Sequence, residues 1–391
     1  MYPQSFLSEI KLRASKICNL LKATNIDAIL ISDNANLYYT SGRVFGGYTY
    51  ITEKGEIIYF VKRPVGLTDN NIVYIRKPEQ ITDELLKIGI ALPKNLALEL
   101  DTATYSEIKR FENIFPNAKI SNGSAIMRQA RAVKTDYELL KLKESGVHHD
   151  ATYHHIKSIY REGMTDVELQ IEIERKLRLE GSLGQFRISG NSMEIFMGNI
   201  LCGNNADTPS PYDFAMGGAG QSLSLPVGCN GTEIRHGMAI MIDMGGNFNG
   251  YMTDMTRVFS VGDIGELAHK AHALSIDIHK ELSTFAHDGV AASEIYNHTI
   301  DMVKSAGLDD YFMGHNQKAS FIGHGIGIEI NELPVLAPRS KDILQAGNVI
   351  AIEPKFVIPT VGAVGVESTY IVRKNMLEKI TNFPEEIVEL Y

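Results

Sequence analysis

Two aspartates in neighbouring apolar segments are the first residues with the spacing of a chemical site. Asp243 follows the run Ala-Ile-Met-Ile, and Asp254 lies in the next apolar segment, after a glycine-bearing turn. We predict two strands, each ending with one carboxylate. Asp is disfavoured in strands and rarely buried without a partner, so this pair needs a group that offsets its desolvation. A metal ion would do so, whereas a lone Asp is more often a turn residue or a helix cap.

Three further residues extend the pattern towards the C-terminus. His324 stands between two glycines, Glu353 ends the apolar run Val-Ile-Ala-Ile, and Glu367 interrupts another apolar segment. A solitary His is usually structural, but four carboxylates in a low-dielectric site would repel one another without a shared cation. Oxygen ligands with one nitrogen suit Mn²⁺, Co²⁺, Fe²⁺ or Zn²⁺, and bridging carboxylates hold two such ions about 3.5–4 Å apart. The residues therefore predict a two-metal site with a bridging hydroxide as nucleophile.

The N-terminal segment has the alternating signals of a small α/β domain, which we place at residues 1–127. Apolar residues at helical spacing precede an apolar strand at 27–32, and the segment 47–62 is typical of a hairpin turning at Gly55. A further strand at 95–101 precedes a helix that we expect to begin at Ser106.

Residues 128–391 are predicted to form a second domain that mixes helices with largely antiparallel strands. Thr135 and Glu138 have capping-box spacing, which predicts one long helix that ends at Gly163. A second capping box at Thr165 predicts a helix to about Gly181, and a third helix is expected at 265–287. The overall fold class is therefore α/β (α+β) in two domains.

Composition narrows the classes of partner and compartment. The chain has 391 residues and a formal net charge of −9, which disfavours a nucleic-acid or anionic-membrane surface. No stretch approaches the roughly 20 apolar residues of a membrane span, and the start lacks the apolar core of a signal peptide. Three scattered cysteines fit a reducing compartment, so we expect a cytoplasmic protein.

Taken in order, the segments at 243–259, 323–334, 352–354 and around Glu367 resemble the ligand motifs of the pita-bread metallopeptidases, the family of prolidase, aminopeptidase P, methionine aminopeptidase and creatinase. The segment 131–138 resembles the sequence that joins the two domains in the prolidase and creatinase branch. The resemblance implies a creatinase-like N-terminal domain and a pita-bread catalytic domain whose antiparallel sheet carries all the ligands. It also implies a homodimer that hydrolyses the peptide bond next to proline with two divalent ions, for which the ligand chemistry favours Mn²⁺ or Co²⁺.

The same resemblance implies a role for each ligand. Asp243 would chelate one ion, Asp254 and Glu367 would bridge both, and His324 and Glu353 would complete the second. Glu353 would also accept the proton of the bridging water. Arg257 would contact a ligating carboxylate from outside the metal shell.

Two histidines of the peptidases are replaced in this chain. Ser210 and Asn331 stand where the family carries imidazoles that bind the substrate carbonyl. Loss of one such donor costs on the order of 100- to 1000-fold in comparable enzymes. Tyr212, Asp213 and Asn331 are therefore candidates for compensating donor or acid functions.

Three functions remain open on these residues. The first is a proline-directed metallopeptidase, and the second is a metalloenzyme with other chemistry, such as the pita-bread lyases that cleave dimethylsulfoniopropionate. The third is an inactive binding module, like the peptidase-like domain of a histone chaperone subunit, which the retention of all five ligands disfavours. A metal-free hydrolase of the creatinase type ranks last, because it depends on the histidine replaced by Ser210.

Overall fold

The computed structural model describes residues 4–69, 71–190, 193–212 and 214–390, with side chains described from Phe6 onwards. The chain divides into two compact units between Arg131 and Ala132, whereas the sequence pattern places the division after residue 127. No helix among the described residues has both the length and the apolar character needed to cross a membrane.

In its described residues, the first unit is a six-stranded mixed sheet with five α-helices. Its strand order is β4-β3-β2-β1-β5-β6, and the predicted hairpin is the antiparallel pair β2–β3. The predicted first helix and the strands at 27–32 and 95–101 are confirmed. The helix expected at Ser106 begins one residue earlier, because Thr104 caps it with a full capping box. The elements are α1 (Gln4–Ala23), β1 (Ala28–Ile31), α2 (Asn34–Ser41), β2 (Gly46–Thr52), β3 (Ile57–Arg63), β4 (Ile72–Tyr74), α3 (Ile81–Lys87), β5 (Asn95–Leu98), α4 (Tyr105–Ile114), β6 (Lys119–Asn122) and α5 (Ser124–Ala132).

The second unit contains the predicted mixture of helices and mainly antiparallel strands. Its helices are α6 (Asp136–Tyr153), α7 (Ile156–Ile159), α8 (Asp166–Leu179), α9 (Glu266–Phe285) and α10 (Ala292–Ser305). Its strands are β7 (Gly198–Cys202), β8 (Met238–Asn247), β9 (Met252–Val261), β10 (Gly323–Gly325), β11 (Glu332–Val335), β12 (Val349–Ile352), β13 (Lys355–Ile358), β14 (Gly362–Gly365), β15 (Ser368–Val372), β16 (Leu377–Lys379) and β17 (Val388–Glu389).

Both predicted capping boxes are present, but the long helix predicted between Thr135 and Gly163 is wrong. Helix α6 ends at Tyr153, and the four-residue α7 follows it. The Tyr153 hydroxyl lies 2.5 Å from the carbonyl oxygen of Met255, which ties the last turn of α6 to β9. This tertiary contact cannot be read from helix start and stop signals.

The candidate ligands are distributed over two sheets, which corrects the expectation of a single sheet. One has the order β17-β9-β8-β7 and packs against α6 to α8, while the other has the order β11-β10-β12-β15-β16 and packs against α9 and α10. The sheets meet at a bridge in which Thr256 and Glu367 exchange backbone hydrogen bonds of 3.3 and 3.1 Å. We call this contact the seam.

Candidate metal centre

Asp243 and Asp254 lie on the same face of the first sheet. Asp243 pairs with Thr256, and Asp254 pairs with Gly245. Since residues two apart in a strand share a face, as do directly opposed residues, both carboxylates point to one side.

The prediction that each strand ends at its Asp is wrong, because β8 continues to Asn247. The pair Gly245-Gly246 is extended strand rather than turn. A Cβ atom at Gly245 would lie 2.1 Å from the Phe186 ring, so glycine here permits close packing.

The other three candidate residues come from the second sheet. His324 lies in β10 opposite Ala351 of β12. Glu353 directly follows β12, and its backbone N–H donates to the Ile322 carbonyl at 2.9 Å. Glu367 sits at the seam, immediately before β15. The strand register and the contact at the seam together place all five predicted residues on the wall of one cavity of about 230 Å³.

A lysine that sequence reasoning missed occupies the centre of this group. Lys355 is the first residue of β13 and is fully buried. Its Nζ lies 2.9 Å from Asp243 Oδ2, 2.8 Å from Glu353 Oε2 and 2.7 Å from Glu367 Oε2. The available signal was a single charge in an apolar strand, two residues after a predicted ligand.

The opposite side of the group has a different arrangement. His324 Nδ1 lies 3.0 Å from the Gly325 carbonyl oxygen, so this nitrogen carries the hydrogen and Nε2 presents its lone pair. Nε2 lies 3.9 Å from Asp254 Oδ2 and 3.7 Å from Glu353 Oε1. Ligand atoms of Asp254, His324 and Glu367 all lie within 4.8 Å of one another. Glu367 Oε1 is buried and has no hydrogen-bond partner among the described residues, as expected of an atom that binds a cation.

Burial and crowding shape the electrostatics of the group. Burial raises the pKa of Asp254 well above its ordinary value, and the nearby carboxylates of Glu367 and Asp243 raise it further. Burial and Glu353 likewise raise the pKa of Glu367, against the opposing effect of Lys355. Burial lowers the pKa of Lys355, but its three carboxylate partners outweigh burial and place the pKa well above its ordinary value. The cluster therefore favours added positive charge.

Arg257 supports the site through backbone rather than through a carboxylate, which corrects the sequence prediction. Its Nη1 donates to the carbonyl of Glu367 at 2.6 Å, and its Nε donates to the Phe383 carbonyl at 2.9 Å. The Glu367 carboxylate instead accepts from the Thr256 hydroxyl at 2.8 Å. Residues adjacent in a strand point to opposite faces, so Thr256 Oγ1 reaches the carboxylate while Arg257 holds the seam from the other face.

The cavity above the carboxylates has a largely apolar wall with two convergent amides. Apolar side chains form most of the lining, and Asn199 and Asn331 are the amides. Asn199 donates to the Met216 carbonyl at 3.3 Å, while its buried Oδ1 has no partner among the described residues. Sequence reasoning did not single out Asn199. Its register opposite Asp243 in β8 is what brings it to the site.

The comparisons with known proteins cover nearly the whole chain. The model of metallopeptidase family M24 matches residues 141–374, and that of the creatinase/prolidase N-terminal domain matches residues 13–133. This chain belongs to metallopeptidase family M24. Membership implies divalent metal ions.

Several relatives match this chain over nearly the whole of both lengths. An Xaa-Pro dipeptidase of Pyrococcus horikoshii is 25% identical, over 96% of this chain and 98% of the relative. The uncharacterised peptidase YqhT of Bacillus subtilis is also 25% identical, over 97% and 100%. The solved Xaa-Pro dipeptidase from Bacillus anthracis superimposes with a TM-score of 0.80 at 24% identity, over 97% of this chain and 99% of that one. The predicted pita-bread fold with a creatinase-like N-terminal domain is confirmed.

The predicted substitutes for the missing histidines have different positions. Asn331 lines the cavity and is anchored by two hydrogen bonds of 2.8 Å to the backbone of Ser189. Ser210 lines a neighbouring cavity and donates to the Pro226 carbonyl at 3.0 Å. Tyr212 lines that neighbouring cavity too, and its hydroxyl donates to Glu194 at 2.9 Å. Asp213 lies outside the described residues.

Tyr212→Phe is therefore expected to leave catalysis nearly unchanged, contrary to the prediction from the sequence. The variant removes a hydroxyl that contacts an exposed glutamate outside the metal-site cavity. Such surface changes are usually worth within about 0.5 kcal/mol, which corresponds to roughly twofold in rate. Steady-state kcat and KM of the variant beside wild type would check this, and a tenfold fall in kcat would return Tyr212 to the active site.

His279 in α9 holds the segment that leads to Glu367, and it makes stability depend on pH. Its ring lies 2.9 Å from the Val366 carbonyl and 2.8 Å from the Tyr370 hydroxyl. Burial lowers its pKa from 6.5 to about 4. Because the unfolded chain takes up the proton first, stability is lost as the pH falls from 6.5 to about 4. The loss attributable to His279 between pH 7 and pH 5 is about 2 kcal/mol.

In His279→Gln, an amide supplies the hydrogen-bond donor and acceptor but does not titrate. The variant should therefore lose about 2 kcal/mol less folding stability than wild type between pH 7 and pH 5. Denaturant unfolding of wild type and variant at pH 7 and pH 5 measures it. His298→Gln, at a partly exposed site on α10, is the matched control. Equal losses in wild type and His279→Gln would show that His279 does not titrate as described.

Proposed function

We propose that this chain is a metal-dependent peptidase that hydrolyses the bond next to proline in short peptides. The observation that carries the proposal is the position of the carboxylate and imidazole cluster on the wall of a small, mostly apolar cavity. Proline has no backbone N–H, so a site selects it by packing against the ring rather than by a hydrogen bond. The names of the Pyrococcus horikoshii and Bacillus anthracis relatives support the same substrate class.

Asp254, His324 and Glu367 would hold a divalent ion, with Glu353 Oε1 close by. When bound, such an ion lowers the pKa of water and polarises a carbonyl group. Glu353 keeps this oxygen free of Lys355, because Lys355 contacts Oε2, and we assign Glu353 as the proton acceptor. We prefer Mn²⁺ or Co²⁺ because two carboxylates and one imidazole, with Glu353 Oε1 close by, suit these ions.

The two amides would orient the peptide. Asn199 Oδ1 is a buried acceptor without a partner among the described residues, suited to the substrate's ammonium group. Asn331 uses one N–H on Ser189 and has a second that can donate to the substrate carbonyl. Phe186, Phe214 and Phe321 would pack against the proline ring.

A panel of X-Pro dipeptides and X-Pro-X tripeptides, with X-Ala peptides as matched controls, tests the proposal. Each peptide is assayed with added Mn²⁺, Co²⁺, Zn²⁺ or Fe²⁺, and metal content is measured on the same samples. We expect kcat/KM for X-Pro peptides to exceed that for X-Ala by at least about 10-fold, the effect of one well-packed apolar group. Metal-loaded protein that cleaves none of the peptides would reject the function.

We also propose that the protein is a cytoplasmic homodimer, on the basis of its family. Light scattering coupled to size-exclusion chromatography would test the oligomeric state, and a monomer at micromolar concentration would contradict it. No observation in the described residues favours a lyase, another hydrolase or an inactive module.

A further inference from the structure

Lys355 makes contacts that a metal ion would otherwise make. Its ammonium group has three N–H donors, and each has a carboxylate oxygen at 2.7 to 2.9 Å. These are the lengths of strong, charge-assisted hydrogen bonds. The three carboxylates are Asp243, Glu353 and Glu367, all of them predicted metal ligands.

We propose that the ammonium group of Lys355 permanently replaces one of the two metal ions, so that this chain binds a single divalent ion between Asp254, His324 and Glu367. The inference takes from the proposed function only that this cluster is a metal centre. It changes the centre predicted from the sequence from two ions to one ion and a fixed ammonium.

The division of ligands between the two cations supports this assignment. Asp243, which would chelate only the first ion, has Lys355 as its charged partner. His324, which would bind only the second, lies outside hydrogen-bond distance of every carboxylate recorded near it. Glu367 contacts Lys355 with Oε2 and leaves Oε1 without a partner among the described residues. One oxygen of this carboxylate is thus used by the ammonium, and the other remains for an ion.

Space excludes a second ion beside Lys355, and one divalent ion already balances most of the charge. A metal ion binds carboxylate oxygen at about 2.0–2.2 Å, so an ion on Asp243 Oδ2 and Glu367 Oε2 would overlap the ammonium on the same two atoms. Four carboxylates and one ammonium leave three negative charges, and one divalent ion reduces these to one. That is enough to offset most of the repulsion.

The backbone holds Lys355 in this position. Its residue pairs with Gly365 in the β13–β14 ladder, and its carbonyl accepts from the Met313 N–H at 2.8 Å. A Cβ atom on Gly365 would lie 2.8 Å from the Lys355 Cα, so the two strands pack closely. Because the side chain is 1% exposed, an ammonium that left the centre would lose its three charged partners without reaching solvent.

The test counts ions on the purified full-length protein, independently of activity. The protein is loaded with Mn²⁺, free ion is removed, and bound metal per chain is measured by elemental analysis. Electron paramagnetic resonance of the same sample distinguishes an isolated Mn²⁺ from two ions coupled at about 3.5–4 Å. We expect about one ion per chain in wild type, with the spectrum of an isolated ion.

Lys355→Ala should bind a second ion and give a coupled spectrum, while Lys374→Ala, an exposed lysine, should match wild type. Two coupled ions in wild type, or none, would overturn the inference, and these readings on wild type remain decisive if Lys355→Ala does not fold. If Lys355→Ala folds and binds only one ion, the inference is also rejected. One ion without peptidase activity would reject the proposed function and leave this inference standing.

Discussion

Replacing Glu367 with Gln is expected to lower metal affinity and peptidase turnover together, each by more than about 100-fold. Loss of a residue that merely orients a ligand typically costs 10- to 100-fold in metal affinity or activity, and Glu367 would be a ligand itself. Its Oε1 is buried without a partner among the described residues, and its Oε2 contacts Lys355 and Thr256. A neutral amide provides a weaker ligand and places an N–H donor where one oxygen stood.

Elemental analysis and kcat/KM, measured on one preparation of the variant, check this expectation. Asp254→Asn should behave alike, since Asp254 belongs to the same ligand group. Glu378→Gln is the matched control, because Glu378 pairs with Lys143 and Arg373 away from the centre. If Glu367→Gln retained full metal, the site would be misassigned.

Lys355→Met is expected to destabilise the metal-free protein by about 3–5 kcal/mol at pH 7. Removing one partner of a buried ion pair leaves the remaining charge uncompensated, which costs this amount, and here three carboxylates lose the same ammonium. Methionine has a similar length, so most of the loss reflects charge rather than a cavity. Denaturant unfolding with chelator present gives the difference, and exposed Lys374→Met should leave stability within about 0.5 kcal/mol.

The loss of stability that Lys355→Met causes relative to wild type, called the deficit below, should become smaller as the pH falls. Burial and neighbouring carboxylates already hold the pKa values of Asp254 and Glu367 above the ordinary range, and Lys355 opposes this rise. Without Lys355 the folded-state pKa values rise further above the unfolded ones, so the folded variant binds protons more tightly. Proton binding to these carboxylates stabilises the folded variant. This stabilisation is fully present below the unfolded pKa and is lost as pH rises through the folded pKa. A deficit that grew on acidification would show that the carboxylates do not govern it.

The sequence located the candidate site well because it depends on residues that strand periodicity brings together. All five predicted ligands reach one cavity, since alternation in β8 and β9 sets the direction of Asp243 and Asp254 and the seam carries Glu367 to them. The capping boxes correctly predicted where α6 and α8 begin, because a capping box is formed by residues only three positions apart in the sequence. Metal binding by the five residues stays a prediction.

Features that depend on tertiary geometry could not be predicted. The Met-Gly-Gly sequence suggested a turn after Asp243, whereas Gly245 and Gly246 pair with β9 as extended strand. Tyr212 and Arg257 have suitable chemistry and sequence position, but their side chains reach Glu194 and backbone carbonyls instead. Lys355 was overlooked because its one sequence signal, a charge in an apolar strand, does not show that the side chain will contact three carboxylates, of which only Glu353 is nearby in the sequence.

The seam between the two sheets gives the site a mechanical role as well as a chemical one. Each sheet has its own apolar core, and Thr256 with Glu367 links them through both backbone and side chain. A cation held between Asp254 on one sheet and His324 on the other would connect the two sheets, and it would add stability that grows with the logarithm of the free metal concentration above the dissociation constant. The ion that would serve catalysis would then also decide whether the catalytic unit unfolds in one cooperative step or the two sheets first separate at the seam.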